Sequence, residues 1–104
     1  MSKNLNLSIY QQYFNEIKAG TKKVEYREIK DYYTKKLIVG GVAPGTGELK
    51  AVHFDTVSFY TKAGDRMKVK WEGLFLYPSK NPKWYAIKLG DILSITKKDA
   101  SNTK

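Results

Sequence analysis

Residues 13–27 read YFNEIKAGTKKVEYR, and this stretch joins the first predicted helix to the second predicted strand. Its first half carries apolar residues at helical spacing, namely Tyr13, Phe14 and Ile17. Gly20 follows them as a helix-ending residue, because glycine tolerates the left-handed backbone of a C-terminal cap. Residues 22–27 then alternate between two faces, as strand residues do. The stretch therefore predicts a helix over residues 9–19 and a strand over residues 22–27.

Alternation and turn residues on either side predict the remaining elements. A first strand is predicted over residues 4–9, and Ser8 with Gln11 has the spacing of a capping box for the first helix. Gly73 predicts a bulge within a later strand, and the glycine-rich residues 40–47 predict a loop. The other predicted elements are a second helix over 29–38 and strands over 52–61, 66–77, 83–89 and 91–96.

The predicted order is strand, helix, strand, helix and then a run of strands. Because strands and helices do not alternate regularly, the order argues against a parallel sheet. Several short strands separated by turns favour a small, mostly antiparallel barrel. We therefore predict an α+β fold in which a mostly antiparallel β-barrel is flanked by two helices. The prediction places one domain at residues 1–96 and a disordered tail at residues 97–104.

The charge of the chain points to an anionic partner. Its 104 residues include 19 Lys and Arg against 10 Asp and Glu, which gives a formal charge of +9. The absence of cysteine excludes disulfides, thiolate zinc sites and cysteine nucleophiles. His53 is the only histidine, and no metal-binding spacing surrounds it. We expect a soluble, cytoplasmic protein with no membrane segment, no metal and no cofactor.

A sequence pattern within the opening stretch carries a family resemblance. Four residues form the pattern G-x-K-x-x-E-x-R: Gly20, Lys22, Glu25 and Arg27. The pattern resembles the signature of the ASCH family, a branch of the PUA-like barrels. The continuation over residues 28–37, EIKDYYTKKL, is similar to the segment that follows this signature in small single-domain ASCH proteins of bacteria and phages. The resemblance extends over residues 5–95.

The resemblance implies a PUA-like barrel with a helix-flanked cleft that the motif residues line, and it implies an RNA-related role. A few small members of the family hydrolyse the acyl amide of N4-acetylcytidine, using a motif lysine, a threonine and a glutamate. By resemblance Lys22 is the catalytic lysine, whereas Glu25 stands where those hydrolases have threonine. A carboxylate can still position a water. Lys22 and Glu25 are therefore the catalytic candidates.

The side-chain chemistry of the motif suits ligand binding as well. Arg27 can donate two parallel hydrogen bonds to a phosphate, a carboxylate or a base edge, and Glu25 can accept from an amine. Tyr33, which follows the motif closely, is the preferred aromatic residue for stacking on a base. The ligand-binding candidates are Gly20, Lys22, Glu25, Arg27 and Tyr33. Further phosphate contacts are predicted for Lys35, Lys36, Lys68 and Lys70.

Three hypotheses of function follow. The leading hypothesis is a binding domain that takes RNA or a modified nucleoside into a basic Lys/Glu/Arg cleft. The competing hypothesis is an amidohydrolase that deacylates a nucleoside of the N4-acylcytidine type. The third is a protein-interaction or anti-defence factor whose cleft is vestigial. The sequence leaves open whether the protein is an enzyme, which ligand it takes and whether it forms oligomers.

Overall fold

The computed structural model describes residues 3–41 and 50–96 of the chain. Its elements are β1 (Asn4–Ser8), α1 (Gln11–Ala19), β2 (Val24–Glu28), α2 (Asp31–Leu37), a 3-10 turn (Val39–Gly41), β3 (Thr56–Tyr60), β4 (Arg66–Tyr77) and β5 (Trp84–Thr96). The predicted tail, 97–104, and residues 42–47 of the predicted loop lie outside the described residues. Neither α1 nor α2, with nine and seven residues, has the length and apolar character of a membrane-spanning helix.

The strands form a five-stranded sheet in the order β1-β3-β4-β5-β2. β1 pairs with β3 in parallel, whereas β3 with β4 and β2 with β5 are antiparallel. The prediction of an α+β fold with two helices is confirmed at this level. The predicted barrel does not close within the described residues. β1 and β2 stand at the two ends of the hydrogen-bonded order, which forms no ring within the part of the chain that the structure describes.

The described residues divide into two compact units, each built from segments distant in sequence. The first unit comprises residues 3–23, 54–71 and 89–96. The second unit comprises residues 24–41, 50–53 and 72–88. Both β4 and β5 contribute residues to each unit. The assignment of residues 1–96 to a single domain stays a prediction.

The core of the first unit follows the alternation of its strands and the spacing of α1. One face of β1, β3 and β4 is buried, and α1 contributes two buried residues. Burying an aliphatic or aromatic side chain of this size contributes roughly 1.5–3 kcal/mol. The buried residues from these elements are Leu5, Leu7, Phe14, Ile17, Val57, Phe59, Met67, Val69 and Trp71.

The two ends of α1 show how local and non-local signals differ. The predicted capping box is wrong, because α1 begins at Gln11 and its N-cap is Tyr10, which makes no side-chain cap hydrogen bond. Ser8 instead stays in β1 opposite Tyr60, and pairing with β3 keeps the backbone extended up to this point. The predicted end is confirmed: Gly20 has a φ of 84°, and its N–H donates to the carbonyls of the last helical turn.

The burial pattern of β4 changes phase at Gly73, where the sequence predicts a bulge. Before this glycine the odd-numbered residues Met67, Val69 and Trp71 are buried. Gly73 has a φ of 130°, in a region that residues with a Cβ rarely adopt. After it the odd-numbered Phe75 and Tyr77 are exposed.

The last strand of the chain, β5, differs from its predicted bounds. β5 is one strand from Trp84 to Thr96, whereas the sequence predicts two strands interrupted at Gly90. Gly90 continues the strand without a positive φ, so this glycine is not a breaker. The first half of β5 pairs with β2 in a register that places Ile87 opposite Glu25 and Tyr85 opposite Arg27. This register determines which side chains of β2 face the core of the second unit.

Candidate functional site

The motif residues Glu25 and Arg27 lie on the inner face of β2. They are opposite Ile87 and Tyr85, which are fully buried, and directly opposed residues of an antiparallel pair share a face. The buried position of Tyr85 is fixed further by a hydrogen bond between its hydroxyl and that of Thr34 on α2. β2 therefore presents a carboxylate and a guanidinium, two residues apart, towards the interior of the second unit.

Arg27 and Glu25 form an ion pair that is largely shielded from solvent. The Arg27 Nε donates to Glu25 Oε2 at 2.7 Å, and Arg27 Nη2 lies 2.6 Å from the same oxygen. The exposed fractions of the two side chains are 12% and 7%. Charge-assisted hydrogen bonds of this kind are stronger than neutral ones and fix the plane of the guanidinium. The pair therefore orients Arg27.

Tyr33 holds the opposite side of the same guanidinium. Arg27 Nη1 donates to the Tyr33 hydroxyl at 2.9 Å, and the Arg27 guanidinium carbon lies 5.5 Å from the centre of the Tyr33 ring. α2 begins at Asp31, so its first turn brings Tyr33 to β2. Tyr33, the predicted stacking residue, is half-buried, and its hydroxyl accepts a hydrogen bond from Arg27.

Next to this ion pair, two aromatic rings of α2 lie close to cations from β2, from the N-cap of α2 and from α2 itself. Tyr32 is 60% exposed, and its ring meets the Tyr33 ring edge-on at a centroid distance of 5.0 Å. Lys36 Nζ lies 5.1 Å from the Tyr32 ring, and Lys30 Nζ lies 5.6 Å from the Tyr33 ring. We call Arg27, Lys30, Tyr32, Tyr33 and Lys36 the α2 aromatic–cation cluster. Arg27 was predicted as a ligand-binding residue from the family resemblance, and Tyr33 as the stacking residue from its place after the motif. The exposed ring of the cluster, however, is that of Tyr32.

Gly20 and Lys22 belong to the first unit and line a cleft there of about 250 Å³. Lys22 precedes β2, and its Nζ lies 5.1 Å from the Tyr13 ring. Asp91 of β5 is another lining residue of the same cleft. The other lining residues are Ile17, Lys23, Leu89, Gly90 and Ile92. The volume is slightly below the range of about 300–1,000 Å³ that is typical of small-molecule sites.

The structure thus groups the predicted site residues in two sets. Arg27 contacts both Glu25 and Tyr33 in the second unit, and Gly20 and Lys22 line the cleft of the first unit. Asp91 was not predicted. The sequence signal for it is weak, since Asp91 follows a glycine at the boundary of two predicted strands.

Metal chemistry has no candidate residues within 3–41 and 50–96. No three His, Cys, Asp or Glu side chains of these ranges are placed to hold one ion together. His53 is exposed and precedes β3.

In comparisons with known proteins, no family model, no curated protein and no solved structure matches the chain.

Proposed function

We propose that this protein is an ASCH domain of the PUA-like group that binds single-stranded RNA or a modified nucleoside. The single observation that carries the proposal is the α2 aromatic–cation cluster. It offers an exposed tyrosine ring with Lys36 close to it, and a second ring, edge-on to the first, with Arg27 and Lys30 close to it. Aromatic faces interleaved with cations are the combination that unpaired bases and their phosphates require.

Each part of the cluster has a defined role in this proposal. The Tyr32 ring stacks on a base, which contributes about 1–3 kcal/mol for a base on an aromatic residue. Lys30 and Lys36 contact phosphate or sugar oxygens beside it. Arg27 is held by Glu25 and Tyr33, so little conformational entropy is lost when it meets a ligand. Glu25 acts by positioning Arg27.

The experiment is a binding titration with a labelled oligouridylate, followed by fluorescence anisotropy. Tyr32→Ala is expected to weaken binding roughly 5- to 150-fold, which corresponds to the loss of one stacked base. Tyr10→Ala is the matched control, because Tyr10 is also a surface tyrosine, 78% exposed, at the start of α1. Equal affinities of Tyr32→Ala and the wild-type protein would remove the cluster from the binding site.

A second candidate function is supported by the cleft of the first unit. Lys22 and Asp91 are both lining residues of this cleft, and an amine and a carboxyl group can serve as acid and base in amide hydrolysis. The proposed substrate is an N4-acylcytidine. The binding function is preferred because Glu25, the other catalytic candidate, accepts two close contacts from Arg27 on its Oε2.

Incubation with N4-acetylcytidine and chromatography separates the two candidates. Release of cytidine by the wild-type protein, lost in Lys22→Ala and kept in Lys62→Ala, would establish the hydrolase. Lys62 is an exposed lysine of the first unit outside the cleft lining, so it controls for the loss of charge. If no cytidine is released, the binding function is the one candidate that remains.

A further inference from the structure

The outer face of the sheet in the first unit carries a row of cations among hydrogen-bonding side chains. The register of β1 with β3 and of β3 with β4 gives three rows of directly opposed residues. Because opposed residues share a face, all nine side chains lie on one surface. The rows are Asn4, Thr56 and Lys70; Asn6, Ser58 and Lys68; and Ser8, Tyr60 and Arg66. We call this surface the β1–β3–β4 face.

The charges on this face all have one sign. Its three charged members are Arg66, Lys68 and Lys70, and none of its nine residues is a carboxylate. Two carboxylates are adjacent to it in sequence. Asp55 Oδ2 accepts from the Lys3 backbone N–H at 2.7 Å, and Asp65 Oδ2 accepts from Gln11 Nε2 at 3.1 Å. The face is therefore electropositive over residues 66–70 of β4, and Glu72, the next exposed residue of the same alternation, ends the run of positive charge.

The cations recur at a regular interval. They occupy alternate positions of one strand, so neighbouring side chains start about 7 Å apart along β4. The uncharged residues beside them are ordered by hydrogen bonds: Thr56 Oγ1 and Ser58 Oγ both donate to Asn4 Oδ1, at 2.7 and 3.0 Å. Arg66 in addition lies 5.8 Å from the Tyr60 ring. The result is a regular line of positive charge bordered by hydroxyl and amide groups.

The composition of the face favours a nucleic acid over a protein as its partner. Lys, Arg, Ser, Thr, Asn and Tyr are the side chains that contact phosphates and sugars in nucleic-acid complexes. A specific protein interface, in contrast, buries a central apolar anchor, and the only large ring among the nine residues is that of Tyr60.

We propose that the β1–β3–β4 face binds the sugar–phosphate backbone of single-stranded RNA, independently of base sequence. This surface shares no residue with the α2 aromatic–cation cluster, because its nine residues belong to the first unit and those of the cluster to the second. The inference rests on the proposed function in one respect only, namely that RNA is the ligand. Arg66, Lys68 and Lys70 each neutralise a phosphate and release counterions when the strand binds.

The test is the salt dependence of binding to an oligouridylate about ten nucleotides long. The variant Arg66→Gln/Lys68→Gln/Lys70→Gln removes three charges from the face. The matched control Lys62→Gln/Lys80→Gln/Lys83→Gln removes three charges from exposed lysines elsewhere. Three lost phosphate contacts are expected to make the slope of log K against log[NaCl] shallower by about 2, because each contact contributes about 0.7 for a single strand. The control is expected to keep the wild-type slope.

Three outcomes would overturn the inference in distinguishable ways. If the face variant and the control have the same slope, the face does not bind the backbone, and the proposed function is untouched. If the wild-type protein does not bind RNA at all, both proposals fail together. If polyglutamate displaces the RNA as well as unlabelled RNA does, the face recognises negative charge in general and is a site for acidic protein segments. If the face variant has a shallower salt slope but Tyr32→Ala binds RNA as tightly as the wild type, the β1–β3–β4 face is supported as the binding surface and the α2 aromatic–cation cluster is rejected.

Discussion

Arg27 contacts one carboxylate oxygen of Glu25, Oε2, through its Nε and Nη2 atoms. Its third nitrogen, Nη1, donates a hydrogen bond to the Tyr33 hydroxyl. One guanidinium thereby connects a strand to the first turn of the following helix. The connection lies on the inner face of β2, where the ion pair is shielded from solvent. The G-x-K-x-x-E-x-R pattern thus has a structural role at its last two positions in addition to the proposed one.

Removing one partner of this pair is expected to lower the free energy of unfolding substantially. Arg27→Met leaves the buried Glu25 carboxylate without its guanidinium, which costs about 3–5 kcal/mol for a buried pair. Glu25→Gln/Arg27→Met is expected to cost less than the sum of the two single changes, since neither charge is left behind. Urea unfolding followed by circular dichroism measures all four proteins. Strict additivity would mean that the two side chains do not stabilise each other.

The cap of α1 is expected to depend on backbone conformation alone. Gly20 has a φ of 84°, and an added Cβ there would meet no heavy atom within 4 Å. Gly20→Ala is therefore expected to cost about 1–2 kcal/mol from the left-handed backbone, with no contribution from a clash. Gly20→Asn is expected to cost less, because asparagine tolerates this conformation better. Thermal and urea unfolding give the ranking, and an alanine variant as stable as the wild type would contradict it.

The two tryptophans are expected to report on different parts of the molecule. Trp71 is 7% exposed in the first unit, and Trp84 is 40% exposed in the second. Acrylamide should quench the fluorescence of Trp71→Phe steeply, because Trp84 alone remains, and that of Trp84→Phe only weakly. Stern–Volmer plots of both variants and of the wild-type protein measure this difference. Equal slopes for the two variants would contradict the placement of Trp71 in the core.

Sequence reasoning succeeded where a signal is local. The end of α1 at Gly20 follows from one glycine, and the alternation over residues 66–77 predicts the bounds of β4. Sequence reasoning failed where pairing with a strand distant in sequence determines the local backbone conformation. Ser8 stays extended because of Tyr60 on β3, and β5 runs through Gly90 as a single strand. A small, mostly antiparallel barrel was predicted from several short strands separated by turns, but whether such strands close into a barrel depends on which of them become neighbours.

The candidate site shows the same division. The spacing of Glu25 and Arg27 predicts that they share a strand face, and the structure pairs them there. The contact of Arg27 with Tyr33 depends on where α2 begins relative to β2, which no local pattern gives. Asp91 enters the cleft of Lys22 through the continuity of β5, and the β1–β3–β4 face exists only because of two registers. Residues brought together by register are invisible to a reading of spacing along the chain.

The phase change of β4 at Gly73 has a consequence for the aromatic residues that follow it. Phe75 and Tyr77 stand at positions where the strand faces solvent, so folding places little demand on their identity, and a threonine would serve there as well. The ring of Tyr77 nevertheless meets that of Tyr26, itself exposed, at a centroid distance of 5.6 Å. The change of burial phase at Gly73 is thus followed by two aromatic side chains that solvent reaches.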